Sequence, residues 1–450
     1  MQKLSKLAKL CGERIYIVGG AVRNMLMGIE GDSDCDICGT AMVEQIIPYA
    51  EECGFTVKAV YKRTGTVLLH SDGGDLEYTC FRTDSYKDDS HTPTGVTFTK
   101  DINVDALRRD FKCNAVYLNV VTGEIVDPLG GVEDIKNKVL STPRAPEQTF
   151  GEDGLRLMRL FRFCAELDFY PTEQTIKGAK ANAFMIKGIS AERIYSELIK
   201  ILNADKKYNV SNIYGHYNGL SLMDKTGVLD YIFPELAMGR GMEQPALYHA
   251  HDVLEHTLRT VKYAPSEVRL AALLHDIGKP YCYNKNGNYH NHEVEGVPIA
   301  EKVLKRLKAP NSVIDETLRL VRLHMEDSAC NQRIAKVRVK ICQNYDIIDK
   351  LFALKNADAH ACRDNLTVIN KSVERWSGIL EQMKAEKVPF KLADLKIKGD
   401  DLVKIGFRGE EIGKTLNLFF KECILKPTLN DKEQLIMRAN RKYKRAQRKK

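Results

Sequence analysis

Apolar residues come in short runs up to about Glu152 and at helical spacing after it. IYIV at 15–18, TVLLH at 66–70, LEYTCF at 76–81 and AVYLNVV at 115–121 are compact or alternating runs closed by Gly, Asp and polar turns, and they predict strands. GLRLMRLFRFCAEL from Gly154, AERIYSELIKIL from Ala191, IAEKVLKRLK from Ile299 and DETLRLVRLH from Asp315 set apolar residues three or four apart, the spacing of amphipathic helices. The pattern predicts an α+β chain, with a mixed α/β head before a mostly helical body. No internal repeat is visible.

Composition narrows the class. A chain of 450 residues is too long for one ordinary domain, and 44% hydrophobic with 28% charged residues suits a globular protein. No apolar stretch is long enough to cross a bilayer, and MQKLSKLAKLCGER at the start has no apolar signal core, so a cytoplasmic protein with no membrane partner is expected. The 12 Cys are scattered, which predicts reduced thiols rather than a disulfide framework. A lone CxxC, Cys35 to Cys38, lies in a strand-like segment with no second pair, so zinc or redox work is not assigned to it. The net charge of +8 is modest, but RANRKYKRAQRKK at 438–450 holds no acid. That segment suits either an anionic partner such as RNA or a solvated tail.

The chemistry begins in IYIVGGAVRNMLMGIEGDSDCDI, residues 15–37. Asp34 and Asp36, two apart on an extended segment, project to one face, and paired carboxylates need a cation. Oxygen ligands of this kind suit Mg²⁺, which takes one or two protein carboxylates plus substrate phosphates. Gly19 and Gly20 let backbone N–H groups approach a phosphate, and Arg23 on the following helix can add a charged fork. Together these parts describe metal-assisted phosphoryl or nucleotidyl transfer.

These residues resemble the class II tRNA nucleotidyltransferases and bacterial poly(A) polymerases of the polymerase beta superfamily. GGAVRNMLMG followed by DSDCDI is similar to that family's GG-x-VRD-x-L-x-G…D-x-D element, with Asn24 in place of the usual Asp and one extra residue before the pair; Asp32 fits the spacing less well than Asp34 and Asp36. LRRDFKCNAVYLN at 107–119 is similar to the RRDFTxNA motif, with Lys112 for Thr, and DPLGGVEDIKNKVLST at 127–142 and EDGLRLMRLFRF at 152–163 also match. The resemblance implies nucleotide binding by Gly19, Gly20, Arg23, Arg109, Asp110 and Asn114. Asp110 and Asn114, four apart, can hold a ribose hydroxyl. Asp153 and Arg156, three apart on a helix, would present acceptor and donor groups to the base of CTP or ATP, and Arg159 and Arg162 would meet the triphosphate. Glu77 is a candidate third catalytic carboxylate. The polar stretch Thr83–Asp105 falls where the family has a flexible loop for switching from CTP to ATP.

A second constellation follows: His256, His275 with Asp276, His292, His324 and Asp358. Its order, His…His-Asp…His…His…Asp, resembles the HD phosphohydrolase superfamily, in members that can hold two metals. Imidazole plus carboxylate donors suit Mn²⁺, Fe²⁺, Ni²⁺ or Zn²⁺. His249 and His251 remain unassigned, as surface or supporting residues. LKIKGDDLVKIGFRGEEIGKTLNLFFKECI, from Leu395, is similar to a C-terminal element of many tRNA nucleotidyltransferases. The expected organisation is a nucleotidyltransferase head over 1–150, a helical neck with the base-reading motif over 151–245, an HD domain over 246–365 and a tRNA-binding helical tail over 366–450. The implied activity is template-independent addition of C, C and A to the 3′ end of tRNA from CTP and ATP. Poly(A) synthesis is the rival, but KRTGTVLLHSDGG at 62–74 lacks the arginine and phenylalanine of the stretch usual in those relatives. Partial CC or A addition, or an HD phosphohydrolase whose head only binds nucleotide or RNA, are the remaining alternatives.

Overall fold

Among the described residues nine strands form up to Val126: β1 (Ile15–Val18), β2 (Cys35–Gly39), β3 (Thr56–Tyr61), β4 (Thr66–Ser71), β5 (Gly74–Cys80), β6 (Arg82–Ser85), β7 (Gly95–Phe98), β8 (Tyr117–Asn119) and β9 (Ile125–Val126). The computed structural model that gives them describes residues 2–29, 35–85, 95–208, 212–247 and 249–448. Seven strands make one sheet in the order β3-β4-β5-β2-β1-β8-β9, while β6 and β7 pair as a separate ribbon. The middle strand, β2, runs parallel to β5 and antiparallel to β1, with Asp36 opposite Val18 on one side and Glu77 on the other. Side chains alternate along a strand, so the neighbouring Ile37 and Tyr78 leave the sheet on the opposite face, where both are fully buried. Val18, Cys38, Phe81, Ala106, Ala115 and Tyr117 form a core cluster on the Asp36 side of the sheet.

Departures from the expected strands have local causes. The run at 115–121 yields only Tyr117–Asn119, because the Asn119 side chain accepts from Val121 N (2.9 Å) and Thr122 N (3.0 Å) and turns the chain. β3 was not expected: it is an edge strand with mostly exposed side chains, tied to β5 by Lys58–Asp75 at 2.7 Å. The expected loop Thr83–Asp105 instead supplies much of β6, all of β7 and most of the helix Ile102–Leu107, which Asp101 caps through Asn103 N at 2.8 Å. Residues 86–94 of that stretch lie outside the described residues.

After Glu152 the chain is helical, as its period predicts. The helix Leu155–Leu167 buries every residue except Arg159 and Arg162. Its neighbour, Gly215–Lys225, reaches it through two glycines one turn apart: a Cβ at Gly215 would fall 2.0 Å from Ala165 O, and one at Gly219 would fall 2.8 Å from Phe161 O. The chain divides into two compact units, one running to Arg240 and including Lys302–Pro310, the other comprising Gly241–Glu301 and the chain from Asn311. In the second unit the basic end is no solvated tail. Asp431 caps the helix Lys432–Gln447, and Leu435, Ala439 and Tyr443, at four-residue spacing, pack on a cluster containing Leu402, Phe407 and Phe419. Gly406, at φ 117°, leaves the space that the Tyr443 ring fills.

Candidate functional site

In the first unit, Asp36, Glu77, Arg82, Arg108 and Arg109 line a cavity of about 200 Å³ with Val18, Thr66 and Thr79. Two carboxylates on adjacent parallel strands thus face three guanidinium groups. Burial, and then the charge of Asp36, raise Glu77 above the ordinary carboxylate range, the response of an acid beside another acid. A divalent cation relieves that repulsion, so Asp36 and Glu77 fit a metal bound through oxygen. Asp34 lies outside the described residues. Gly19, at φ 77° and ψ −134°, leads into the helix Gly20–Leu26, and a Cβ there would come 3.7 Å from Asp36 Oδ2, so the glycine turn passes against the acid. At Gly20 the corresponding Cβ would face Arg23 Nη2 at 3.6 Å.

Buried acids and rings fix the arginines. Asp105, fully buried, accepts from Arg108 Nε (2.8 Å), Arg109 Nη2 (3.0 Å) and Tyr117 OH (2.9 Å). Burial works to raise its pKa, but Arg109 and Arg108 outweigh it and hold the carboxylate ionised. Arg82 pairs with Asp84 at 3.0 Å and donates to Thr64 O; burial and the neighbouring Arg108 lower its pKa. Guanidiniums that repel one another in a half-buried cavity favour an anion there. Neither Arg82 nor Arg108 was among the expected ligands. Arg82 follows a strand in CFRTDS with no pattern around it, and Arg108 was hidden in the RRD motif behind Arg109.

Four expected nucleotide ligands sit differently from their sequence reading. Arg23 is 2% exposed and turns inward: Nη1 donates to Asn114 Oδ1 (2.7 Å), Nη2 to Asn24 Oδ1 (2.8 Å) and to Tyr208 OH (3.3 Å). It joins the glycine turn to the RRD segment. Asp153 and Arg156 do not share a helix. Asp153 ends the helix Pro146–Glu152 and accepts from Leu155 N at 2.9 Å, while the buried Arg156 donates to Thr149 O (2.9 Å), Glu152 (3.3 Å) and Arg108 O (2.7 Å). Arg162 forms an ion pair with Glu197 at 2.8 Å.

Asp110 and Asn114 do face one way, with Asn114 Nδ2 donating to Asp110 Oδ1 at 3.1 Å. Asp110 also accepts from Phe111 N (2.8 Å) and Arg159 Nε (2.7 Å). Arg159, Arg162 and Arg23 all approach the Phe163 ring, at 5.1, 4.5 and 5.2 Å. Burial pushes Asp110 up, but Arg159 and these hydrogen bonds more than offset it and hold the carboxyl at about 2, below its ordinary 3.8. A depressed pKa stabilises the fold above the unfolded value and loses that contribution as pH falls through the folded one. About 2 kcal/mol should therefore disappear between roughly pH 5 and pH 2. Urea unfolding across that range is expected to show a shallower pH slope in Asp110→Asn than in the wild type; equal slopes would contradict the assignment.

In the second unit, the helix Arg269–Leu274 delivers His275 and Asp276 to a cluster with the buried His256, His292 and His324 and the part-exposed Asp358. His256 Nε2 lies 3.0 Å from Asp358 and His275 Nε2 lies 3.1 Å from Asp276 Oδ2; His292 and His324 approach Asp276 Oδ1 at 3.1 and 3.7 Å. Two ligand trios share Asp276: His256–His275–Asp276 and Asp276–His292–His324. Nδ1 of His275, His292 and His324 each meets a backbone carbonyl three residues back, at 2.7 to 2.8 Å. That contact fixes the tautomer with Nε2 as the lone-pair nitrogen. Yet His292 Nε2 and His324 Nε2 are 3.1 Å apart, and two lone pairs at that distance need a cation between them. Burial opposes charge on Asp276, but His275 and Lys279, whose Nζ is 2.6 Å away, hold it well below the ordinary range. The trios fit two divalent ions. The cluster opens into a cavity of about 1220 Å³ that Lys279, Tyr289 and Lys355 also line. Lys279, His249 and Cys362 were not expected at this site.

Comparison with known proteins supplies the class. Three family models match in tandem: the Poly A polymerase head domain over 15–141, the probable RNA and SrmB- binding site of polymerase A over 168–239, and the HD domain over 249–351. A CCA-adding enzyme of Geobacillus thermodenitrificans is 32% identical over 306 residues, 68% of this chain and 65% of that protein. One from Streptococcus thermophilus is 37% identical over 203 residues, 44% of this chain and 47% of that protein. The chain thus spans between about half and two thirds of the length of these curated relatives. In fold it resembles the Bacillus stearothermophilus CCA-adding enzyme in complex with CTP, with TM-score 0.67 at 21% identity over 100% of this chain and 99% of that one. It also resembles the Thermotoga maritima CCA-adding enzyme complexed with tRNA, with TM-score 0.57 at 19% identity over 97% and 93%. The fold and the paired acids of β2 and β5 define a nucleotidyltransferase head of the poly(A) polymerase type, carried with an HD domain. Its head and neck segments match models of the poly(A) polymerase family and its third segment an HD domain, and the named proteins it resembles are CCA-adding enzymes. That family needs a divalent metal, and the described residues contain groups able to hold one. No described helix is long and apolar enough to cross a membrane.

Proposed function

We propose that this protein adds CCA to the 3′ end of tRNA, using CTP and then ATP and releasing pyrophosphate, in the cytoplasm where tRNA matures. The observation that carries the reading is the juxtaposition of Asp36 and Glu77 with Arg82, Arg108 and Arg109 around one cavity. Asp34, Asp36 and Glu77 hold Mg²⁺, which when bound lowers the pKa of the attacking hydroxyl and neutralises charge on the leaving group. The arginines orient the triphosphate, and the glycine turn at Gly19 and Gly20 brings backbone N–H groups alongside it. Asp110 and Asn114, tied to each other and to Arg159, position the ribose. Poly(A) synthesis would use the same acids, so the reading requires that extension stop after three nucleotides.

Asp153 and Arg156 read the base, replacing a nucleic-acid template. Pockets built from specific hydrogen bonds reject wrong partners because buried groups would be left unpaired. Arg156→Ala is expected to lower the preference for CTP and ATP over UTP and GTP by about tenfold or more, the effect of roughly 1.4 kcal/mol. Competition assays with mixed nucleotides measure it, and unchanged preference in a folded variant would remove Arg156 from this role. The head, neck, HD domain and tail occupy 1–150, 151–245, 246–365 and 366–450. The neck and the basic tail helix bind tRNA mainly through phosphates. The HD cluster holds two transition-metal ions such as Mn²⁺, Fe²⁺, Ni²⁺ or Zn²⁺ and supports a separate phosphohydrolase activity.

A further inference from the structure

His249 and Cys362 are not among the six residues of the HD pattern, yet both stand against them. His249 sets its ring edge-on to His256, with centroids 4.7 Å apart and planes at 83°. Cys362 caps the helix Ile348–Ala361 one turn beyond Asp358, so the two side chains share a helix face. One donor atom from each of His249, His256 and Cys362 lies within 4.8 Å of the others. His256 is 0% exposed; its Nε2 faces Asp358 at 3.0 Å, but its Nδ1 and Nδ1 of His249 have no hydrogen-bond partner. Each such buried orphan costs about 1–3 kcal/mol unless something satisfies it. Orphaned imidazole nitrogens beside a thiol call for a ligand that accepts lone pairs.

We infer that His249, His256 and Cys362 form a further divalent-metal position, with donors softer than those around Asp276 and suited to a thiophilic ion such as Zn²⁺. Two imidazoles and a thiolate are a zinc donor set, with bonds of about 2.0–2.1 Å to nitrogen and 2.3 Å to sulfur. The thiol gives its proton to solvent as the sulfur–metal bond forms, and the ion carries the balancing charge. His256 also belongs to the trio with His275 and Asp276, so the new position adjoins that one; a neutral imidazole has one lone pair, so with ions in both positions His256 gives its ring N–H proton to solvent and bridges them as an imidazolate. The inference rests on the HD cluster being a metal centre and adds a site which that pattern does not contain.

Cobalt tests it, because a thiolate bound to Co²⁺ gives a charge-transfer band in the near ultraviolet that imidazole and carboxylate ligands do not. The full chain, stripped of metal and titrated with Co²⁺, is expected to show that band together with visible d–d absorption. Cys362→Ser should lose the band and keep d–d absorption from the Asp276-centred sites. Zinc content should fall by about one ion per chain in Cys362→Ser and in His249→Ala. Cobalt bound in the wild type without a thiolate band would overturn this inference and leave the HD reading standing. A band that survives Cys362→Ser would place it on another of the 12 cysteines and overturn it equally. Failure to bind cobalt at all would end both readings, and the wild-type spectrum decides even where a variant does not fold.

Discussion

Asp36→Ala is expected to reduce addition of both C and A by at least about a thousandfold, while tRNA affinity changes by less than about twofold. Asp36 lies in the middle strand of the sheet with Glu77 beside it in register, and the glycine turn passes within contact distance. A metal held there supplies several kcal/mol to the transition state of every transfer, and about 4 kcal/mol corresponds to a thousandfold in rate. The loss must therefore be the same for CTP and ATP. On the proposed reading tRNA is held by phosphate contacts elsewhere, so its binding should survive. Asp34→Ala is expected to behave alike, and Glu77→Gln to lose about a hundredfold. Single-turnover extension of a radiolabelled tRNA, with anisotropy for binding, measures each. Substantial activity in Asp36→Ala would mean that the wrong acids have been chosen.

Asp276→Asn should empty the two Asp276-centred positions of the HD centre, lowering bound transition metal by about two ions per chain. Asp276 is the one residue common to both ligand trios, so its loss removes a donor from each. The amide keeps the side-chain volume and can still accept from Lys279, which the smaller Asp276→Ala would leave as an unpaired buried charge at a cost of about 3–5 kcal/mol. Metal analysis of the purified chain gives the readout, with thermal melts alongside. CCA addition should stay within about twofold of the wild type, because the head offers carboxylates and the HD cluster imidazoles, donors suited to different ions. A stable variant that retains its metal would remove Asp276 from the ligand set. A stable variant unable to add CCA would show that the two sites are not independent.

Much of this was legible in the chain because the chemistry needs fixed residue types at short spacing. The strand–glycine turn–acid order of residues 15–37 reads directly as β1, Gly19–Gly20 and Asp36 on β2, and the change of period at Glu152 marks the onset of the helical body. The residues of the HD cluster could be picked out because six His and Asp residues recur in one order, and the fold brings them together. What stayed hidden depends on tertiary pairing. Arg23 reads as a phosphate ligand when only its local segment is seen, but its partners Asn114 and Tyr208 are 91 and 185 residues away. Arg82 enters the cavity because β5 lies beside β2, a pairing that no local spacing reveals. Asp153 and Arg156 read as one helix turn because their spacing fits, whereas the helix begins only at Leu155. His249 and Cys362, separated by more than a hundred residues, carry no joint signal until the fold brings them together.

The central claim is that this chain completes tRNA and then stops, and one assay meets it directly. Purified protein with Mg²⁺, CTP and ATP is given three forms of one tRNA: lacking all three terminal nucleotides, lacking only the final A, and complete. The account predicts that the first gains three nucleotides, ending in CCA, the second gains one A, and the third gains none. Repeated addition of A to the complete tRNA would identify a poly(A) polymerase, and two C residues without A, or A without C, would identify a partial enzyme. No extension of any form by folded, Mg²⁺-supplied protein would contradict the account at its root.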